Sequence, residues 1–443
     1  MTSSVGRPRS LPLVGHAPQF LRDKLGFLQR CAEGTGGVVQ LRIVGLTYLL
    51  LEPADIEHVL IAGHRHYAKT PRLTSPRGRR LFGDSVLTSV ADEHLERRRT
   101  VQPAFGKTTT EALAKVVTPT VDEWLEGLRS GDEIDAAAEF DHVARRIVLS
   151  AIFGLGAQEV DELDADVAAR QAWIDYLFRS VIPYPERVPR PLTLRHARAL
   201  RRLDSAIRQA SRTPRSHADG RDDLLSLFAA ARKPDGSPLD EQEIVEHVRM
   251  IMITGHETIG VALAWAAHLV SGHPEIQARL QAEIDEVLGT RAPDVGDARH
   301  LPYAERVFSE SLRLYPPTWI FIRIALEPDR LPSGTELTPG AKLYLCPWVV
   351  QRDPRWFPDP ERFDPDRFAP EAVQGRPEFS YFPFGGGARL CLGKRLALLE
   401  GVLALVRLQQ RFTLERVPGN PVWPDPGVVL APRPAVPLVV RSR

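Results

Sequence analysis

The longest run of apolar positions lies between residues 241 and 270, and its length predicts a core helix of about eight turns. Segments 117–128 and 140–153 also predict helices, because their apolar and charged residues alternate with a helical period. A shorter apolar stretch, 38–51, is broken at Gly45 and predicts a β-hairpin. The pattern therefore indicates a mostly helical protein with some sheet near its start.

Proline and glycine divide the rest of the chain. They interrupt any period within 69–90, which predicts a loop, and a polar stretch at 211–219 predicts a flexible connector. Two further helices with a connecting loop are predicted at 173–182 and 195–208. Segment 353–363 holds too many prolines to form a long helix, so we expect an ordered meander there.

Composition restricts the class of protein. The 443 residues are 43% apolar and 26% charged, which is ordinary for a globular enzyme, and a net charge of +1 argues against a chain dedicated to nucleic acid. Three cysteines, Cys31, Cys346 and Cys391, are odd in number and far apart, so we expect a reducing compartment and no disulfide framework. The N-terminus has no apolar segment, and no run of about 20 apolar residues occurs. These features predict a soluble cytoplasmic protein without a membrane anchor.

Cys391 is the first candidate for chemistry. It ends a glycine-rich segment within 382–394, and a helical pattern begins at Lys394. A sulfur placed near a helix N-terminus favours the thiolate over the thiol, because the backbone N–H groups and the helix dipole stabilise negative charge. A lone cysteine is more often a small buried hydrophobe. The glycines and phenylalanine at fixed offsets nevertheless favour a ligand to iron.

Five residues of this segment form a known pattern. Their spacing resembles the haem-binding signature of the cytochrome P450 superfamily, whose members are haem-thiolate monooxygenases. The matching residues are Phe384, Gly387, Arg389, Cys391 and Gly393. The resemblance implies haem b as the cofactor, with its iron bound by the thiolate of Cys391.

The resemblance also implies an architecture. Its fold is mainly α, with one large helical domain and a small β-rich lobe. We accordingly expect a single domain over 1–443, with the lobe formed mainly by 20–70 and 320–350 and the haem-binding loop by 382–394.

The predicted core helix contains a polar interruption, Thr254-Gly255-His256-Glu257-Thr258. Glycine and buried polar groups are costly inside an apolar helix, which indicates a functional site. The motif resembles the oxygen-activating helix of the same superfamily. That resemblance implies that Gly255 makes room for dioxygen, that Glu257 belongs to the proton supply and that Thr258 hydrogen-bonds the iron-bound oxygen. Zinc binding by His-Glu-x-x-His is disfavoured because position 260 is glycine.

Four basic residues are implied to hold the haem propionates through charge-assisted hydrogen bonds: His94, Arg98, Arg323 and Arg389. His94 and Arg98 lie one helical turn apart, and a solvated charged helix is the alternative interpretation for them. Arg323 lies in an apolar strand-like run, where a core arginine in a salt bridge is the alternative.

Glu310 and Arg313 are spaced i,i+3 and can therefore pair on one helix face. Together with Arg362 they resemble the Glu-Arg-Arg triad of the superfamily. The resemblance implies a structural role, in which the triad fixes the meander beneath the haem.

The function implied is the insertion of one oxygen atom of O2 into a C–H or C=C bond of a small lipophilic substrate. Terpenoids, steroids, fatty acids and polyketides are the expected substrate classes, in secondary metabolism. We expect a monomer that receives electrons from a separate ferredoxin or flavodoxin with its reductase, docking near Lys394 and Arg395. A peroxide-driven peroxygenase and a haem sensor or electron carrier are the alternatives. Glu257 and Thr258 count against the peroxygenase, and Thr258 together with the long loop-rich lid counts against the sensor or carrier.

Overall fold

A computed structural model describes residues 5–154, 157–180, 188–212 and 223–443 of the chain. The loop predicted between helices 173–182 and 195–208 falls mostly outside the described residues, as does most of the predicted connector at 211–219. The remaining sequence-based elements can be compared with the structure directly.

The described residues are mainly helical, with short strands. The helices, in chain order, are α1 Ala17–Arg22, α2 Lys24–Ala32, α3 Pro53–Glu57, α4 Pro71–Thr74, α5 Pro76–Phe82, α6 Ala91–Val101, α7 Lys107–Leu113, α8 Val117–Glu126, α9 Ala136–Phe153, α10 Ala157–Arg179, α11 Pro191–Arg212, α12 Leu224–Ala230, α13 Glu241–Ser271, α14 Pro274–Leu288, α15 Pro302–Leu314, α16 Pro347–Val350, α17 Pro370–Val373 and α18 Lys394–Arg411. The strands are β1 Val38–Arg42, β2 Leu46–Leu50, β3 Tyr67–Ala68, β4 Glu133–Asp135, β5 Phe321–Ala325, β6 Asp329–Arg330, β7 Glu336–Leu337, β8 Lys342–Leu345, β9 Phe412–Arg416, β10 Trp423–Pro426, β11 Leu430–Arg433 and β12 Pro437–Ser442.

Two compact units make up the chain. The first consists of Met1–Thr74 with Ser309–Cys391, and the second of Ser75–Phe308 with Leu392–Arg443. The mainly helical class with a small β-rich part is confirmed by these elements. That the whole chain forms one domain stays a prediction.

The first unit is organised around a five-stranded sheet in the order β1-β2-β8-β5-β3. β2 and β8 run parallel, and the other neighbouring strands are antiparallel. The predicted hairpin at 38–51 is confirmed as β1 and β2, joined through Gly45, whose φ of +81° suits glycine. Leu50, Leu343 and Leu345 are completely buried in the core beneath this sheet.

The second unit is built on α13, which confirms the long helix predicted at 241–270. Asp240 caps its first turn by accepting the N–H of Glu243, while the Glu243 side chain accepts the N–H of Asp240. α9 packs closely against α13 at Gly260, where a Cβ atom would lie 3.0 Å from the Phe140 carbonyl oxygen. Trp265 is fully buried, and its indole N–H donates to the carbonyl of Leu430.

α13 is also long and apolar enough to span a membrane. However, 67% of its most apolar window is buried inside the protein, as in the core helix of a soluble protein. Its hydrophobicity is thus accounted for by packing within the second unit.

The prediction of a loop over 69–90 was wrong, because this segment contains the short helices α4 and α5. The prolines that suggested a loop occupy first-turn positions, where a helix needs no N–H donor. Ser75 caps α5 by accepting a hydrogen bond from the N–H of Gly78.

Candidate active site

The cysteine loop, which we define as residues 382–391, follows a path that only glycine permits. Gly385 and Gly387 have φ angles of +70° and +61°. A Cβ atom at Gly387 would lie 1.9 Å from the carbonyl oxygen of Leu60, a distance that no packing can accommodate. Cys391 closes the loop by donating its N–H to the carbonyl of Phe384, and its side chain is exposed. The loop thus presents the thiol at its surface.

Replacing Gly387 with alanine should therefore destabilise the backbone conformation of the cysteine loop. Left-handed backbone strain of about 1–2 kcal/mol adds to overpacking of about 1–3 kcal/mol. We expect the free energy of unfolding to fall by about 3 kcal/mol and haem content to fall with it, as measured by denaturant titration and absorption spectroscopy. Gly375→Ala is the matched control, because Gly375 has a φ of +80° with no atom within 4 Å of the added Cβ. Equal losses in the two variants would contradict the close approach to Leu60.

Gly393 precedes α18 as its N-terminal flanking residue, and its carbonyl accepts the N–H of Ala397. Its φ of −83° is one that other residues adopt, so the backbone conformation does not itself require glycine here. The first two residues of α18, Lys394 and Arg395, are exposed.

Arg323 is a buried cation on β5 with 7% of its surface exposed. Within the described residues its guanidinium makes one hydrogen bond, a donation of 3.1 Å to the carbonyl of Ile322, and no ion pair. Burial lowers the pKa of Arg323 to about 10. An anion would compensate this buried charge, and a haem propionate would supply a carboxylate of the required sign.

The structure places the other predicted propionate ligands on two elements. His94 is buried and Arg98 half-buried on α6, while Arg389 is half-buried in the cysteine loop with Phe384. α6 is anchored at its first turn by Glu93, which forms ion pairs of 2.8 and 3.0 Å with Arg79 and Arg97. These ion pairs fix the helix that carries His94 and Arg98.

Glu310 and Arg313 form a fully buried ion pair in the first unit, as their spacing predicted. Arg313 donates from Nε and Nη2 to the two carboxylate oxygens over 2.6 and 2.8 Å, and neither side chain is exposed. The Glu310 carboxylate also accepts the N–H of Asp364 at 3.0 Å. Every charge in this pair is therefore compensated by hydrogen bonds, as a buried ion pair requires.

The prediction that Arg362 completes this group through its side chain was wrong. Arg362 is exposed and contributes its backbone carbonyl, which accepts a 3.2 Å hydrogen bond from Arg313. Arg367 lies instead beside the acid, with its Nε 3.5 Å from the Glu310 carboxylate. Arg367 therefore brings its guanidinium beside the buried carboxylate, whereas Arg362 contributes only its carbonyl.

Gln351 was missed by the sequence analysis. Its side chain is fully buried, donates to the carbonyls of Leu312 and Arg313, and accepts the N–H of Phe382 at 3.0 Å. Its own carbonyl accepts a 2.8 Å hydrogen bond from Arg313. This one amide thus connects the buried ion pair to the start of the cysteine loop. A lone glutamine carries no motif from which that role could be predicted.

Two side chains of the polar motif of α13 form hydrogen bonds to the backbone of the same helix. Thr254 and Thr258 each donate a hydroxyl hydrogen bond to the carbonyl four residues earlier, over 2.8 and 3.0 Å. The space beside Gly255 faces Val148 of α9, where a Cβ atom would meet a methyl group at 3.3 Å. Gly255 therefore allows the two helices to approach, which is a packing role that its sequence pattern did not reveal.

Glu257 is the acid of this motif and is partly buried. Burial is the main cause that raises the pKa of Glu257 to about 8, and the negative charges of Asp175 and Asp141 raise it further. The carboxyl group therefore holds a proton at neutral pH. A protonated acid can donate that proton during a reaction, which an ordinary ionised glutamate cannot.

The residues present fit a thiolate-bound haem. The cysteine loop offers a surface thiol, and Arg323 offers a buried cation that lacks a carboxylate partner in the described part of the chain. Among the described residues, no cluster of three or more His, Cys, Asp or Glu side chains could hold a different metal. A helical chain with this donor set belongs in class to the oxygenases that bind haem through a cysteine thiolate.

Comparison with known proteins identifies the family. A family model described as Cytochrome P450 matches residues 5–439, and the chain belongs to the cytochrome P450 family. It is 33% identical to cyclooctatin synthase of Streptomyces melanosporofaciens over 435 residues, covering 96% of this chain and 93% of that protein. It is 34% identical to pentalenene oxygenase of Streptomyces avermitilis, covering 92% and 91%, and 31% identical to cyclooctat-9-en-7-ol 5-monooxygenase of Streptomyces melanosporofaciens, covering 93% and 90%.

The family membership establishes the general reaction. The protein is a haem-thiolate monooxygenase with haem b as its cofactor. It uses O2 and a lipophilic substrate, and it takes electrons from a redox partner.

Proposed function

We propose that this monooxygenase oxidises a terpenoid, inserting one oxygen atom of O2 into a C–H or C=C bond of a mostly hydrocarbon skeleton. The names of two relatives support this class, since one oxygenates pentalenene and the other acts on cyclooctat-9-en-7-ol, an unsaturated alcohol. Both relatives match this chain over more than nine-tenths of its length.

Each candidate residue has a proposed part in binding the haem. The Cys391 thiolate holds the iron, and Arg323, His94, Arg98 and Arg389 hold the propionates. Haem bound in this way supplies the oxidation of the substrate by O2. The observation that carries this assignment is the buried Arg323 guanidinium, because it has no carboxylate partner among the described residues.

Proton supply is the proposed role of α13. Glu257 holds a proton on its carboxyl group near neutral pH, and the Thr258 hydroxyl orients the hydrogen bond that the reacting oxygen receives. The electron donor is proposed to be a separate ferredoxin or flavodoxin with its reductase, attracted to the exposed Lys394 and Arg395. We further propose a cytoplasmic monomer.

The absorption spectrum of the reduced protein under carbon monoxide tests the thiolate assignment. A Soret band at the far-red-shifted thiolate position is the expected result, and an imidazole-like band would overturn the role of Cys391. Adding pentalenene and a panel of steroids, fatty acids and polyketides to the ferric protein tests the substrate class. We expect the spin state to shift with the terpenoid, and a shift confined to another class would reassign the substrate.

Replacing Thr258 with alanine should leave the thiolate spectrum intact but divert electrons from product formation to hydrogen peroxide. Without this hydroxyl, we expect NADPH and O2 consumption with a surrogate reductase to continue while product falls several-fold and hydrogen peroxide rises. Thr120→Ala is the matched control, because Thr120 on α8 makes the same bond to the carbonyl four residues earlier, at 2.7 Å. Full coupling of electrons to product in the Thr258 variant would remove the assigned role.

A further inference from the structure

A turn near the start of the first unit holds an apolar side chain in water. Leu11 and Gly15 close this turn through two backbone hydrogen bonds of 3.1 and 3.0 Å. Leu13 follows Pro12 and has a φ of +66°, a left-handed conformation that costs a leucine free energy and that turns normally assign to glycine or asparagine. Its side chain is nonetheless fully exposed. Leu13 therefore combines two unfavourable features, a strained backbone and an apolar side chain in solvent.

Backbone contacts hold this turn beside β1, the outer strand of the five-stranded sheet. Upstream of the turn, the N–H of Gly6 donates to the carbonyl of Val38 at 2.9 Å. Downstream, the N–H of His16 donates to the carbonyl of Arg42, and the His16 Nδ1 accepts the N–H of Arg42 at 2.9 Å. A Cβ atom at Gly15 would lie 2.2 Å from the same Arg42 carbonyl oxygen. The turn is thus fixed against the β1–β2 hairpin.

Apolar side chains from the turn and the hairpin form an exposed surface, which we call the apolar tip. It consists of Leu11, Leu13, Val14 and Val44. Leu11, Val14 and Val44 are 47%, 53% and 66% exposed. The turn and the hairpin also line the two sides of one groove. Single exposed leucines are ordinary on protein surfaces, but a fixed group of neighbouring ones indicates a binding surface.

The charged side chains around the apolar tip are cationic. Residues 5–22 and 38–46, which form the turn, α1 and the hairpin, contain no aspartate or glutamate. They contain four exposed arginines, which we call the basic rim: Arg7, Arg9, Arg22 and Arg42. The next acid along the chain, Asp23, is already paired with Arg30 at 3.0 Å. Apolar groups surrounded by cations are complementary to a bilayer that carries negative headgroups.

The residue types of this surface favour lipid over a folded protein as its partner. Protein interfaces are enriched in aromatic residues and require close shape complementarity. The apolar tip holds only leucine and valine, and the boundary of the acyl chains accepts such side chains whatever their shape. Arginine side chains can extend from this depth to the lipid phosphates.

We propose that the apolar tip inserts into the headgroup boundary of an anionic membrane, while the basic rim binds the phosphates of its lipids. Insertion covers the Leu13 side chain that the turn otherwise holds in water. Such binding needs no spanning helix, is reversible and depends on salt. A hydrocarbon-like substrate would be concentrated in the same bilayer, and this consequence, unlike the membrane binding itself, rests on the proposed function.

Cosedimentation of the haem-loaded protein with lipid vesicles tests the proposal, and haem absorbance measures the bound fraction. We expect binding to vesicles of phosphatidylglycerol and phosphatidylcholine in equal parts. Binding to phosphatidylcholine alone should be weaker by about tenfold or more, because the basic rim then has no net negative charge to bind. Added salt should weaken binding to the mixed vesicles.

Leu13→Gly separates membrane binding from folding. Glycine adopts the left-handed conformation without strain, so this variant should unfold at the parent's denaturant concentration or above it. We expect its partition into the mixed vesicles to fall by about tenfold, because one leucine side chain no longer enters lipid. Leu326→Gly is the matched control, since Leu326 is another leucine of the first unit, 58% exposed but followed by Glu327, and its loss should leave vesicle binding unchanged.

Replacing Arg7, Arg9 and Arg42 together with glutamine tests the basic rim. This variant should lose its preference for phosphatidylglycerol, so that its binding to the mixed vesicles falls to the level seen with phosphatidylcholine alone. The matched control makes the same change of charge at exposed arginines of α11, which are Arg195, Arg198 and Arg201. We expect that control to bind the mixed vesicles as the parent does.

The proposal would be overturned by a parent protein that does not bind vesicles, by equal binding to both vesicle types, or by unchanged binding of Leu13→Gly. An equal loss of binding in the α11 variant would also overturn it, because overall charge would then account for the effect. A dimer in sedimentation velocity that Leu13→Gly dissociates, without vesicle binding, would assign the apolar tip to a second copy of the chain. The assay involves no turnover, so a wrong substrate class would leave its result unaffected.

Discussion

Replacing Cys391 with serine is expected to abolish the thiolate absorption band of the reduced carbon monoxide complex and essentially all product formation. A serine hydroxyl neither ionises near neutral pH nor donates the electron density that a thiolate gives to iron. Cys391, which is exposed at the end of its loop, is the ligand that we propose. The spectrum and single-turnover product assays measure the two effects.

The other cysteines provide the control for this experiment. Burial raises the pKa of Cys31 to about 11 and that of Cys346 to about 12, so both remain thiols. Cys346 is fully buried and donates from its thiol to the carbonyl of Trp319. Cys31→Ser should therefore retain the thiolate band. Its loss in that variant, or its survival in Cys391→Ser, would reassign the iron ligand.

Replacing Glu310 with glutamine is expected to cost about 3–5 kcal/mol in the free energy of unfolding, because it leaves the Arg313 charge buried without its partner. Neither side chain is exposed, so water cannot compensate the lost carboxylate. Gln351 joins Arg313 to the N–H of Phe382, so we also expect haem content to fall as the cysteine loop loosens. Denaturant titration and haem quantification measure both changes.

A surface ion pair of similar length is the matched control. Glu415 and Arg441 lie 3.0 Å apart, but their side chains are 52% and 50% exposed. Glu415→Gln should change stability by no more than about 1 kcal/mol, because water screens the pair and solvates the remaining charge. Comparable losses in the two variants would mean that burial of the Glu310 pair contributes nothing.

The sequence was most informative where the chemistry is local. The cysteine loop and the polar motif of α13 each occupy fewer than about fifteen consecutive residues, and the conformational cost of their residue types indicates a site. The Glu310–Arg313 pair could be predicted equally well, because a spacing of three residues places both side chains on one helix face within about one turn.

Contacts between distant segments could not be inferred in this way. Arg362 and Arg367 lie five residues apart in the same proline-rich segment, and the turn that directs Arg367 toward Glu310 depends on tertiary packing. Gln351 acquires its role by hydrogen-bonding residues on both sides of it in the chain, from Leu312 to Phe382. The pattern of a single sequence contains no signal for such pairings.

The residues near Glu257 illustrate the same limit. Asp175 of α10 and Asp141 of α9 raise the pKa of Glu257 electrostatically, and only the packing of these helices beside α13 brings the three carboxyl groups near one another. The short helices within 69–90 were missed for a different reason, since proline signals both loops and helix starts.

The supports of the cysteine loop have a consequence for protein engineering. Leu60 approaches Gly387, Gln351 binds the N–H of Phe382, and the rings of Phe321 and Phe379 lie beside Gly385 and Gly386. All four of these supporting residues lie in the first unit. Random libraries that vary α10 and α11 leave every one of these contacts unchanged. Directed evolution toward new compounds should therefore tolerate many simultaneous changes in those two helices before variants lose their spectral signature, whereas few changes in the first unit's supports would be tolerated.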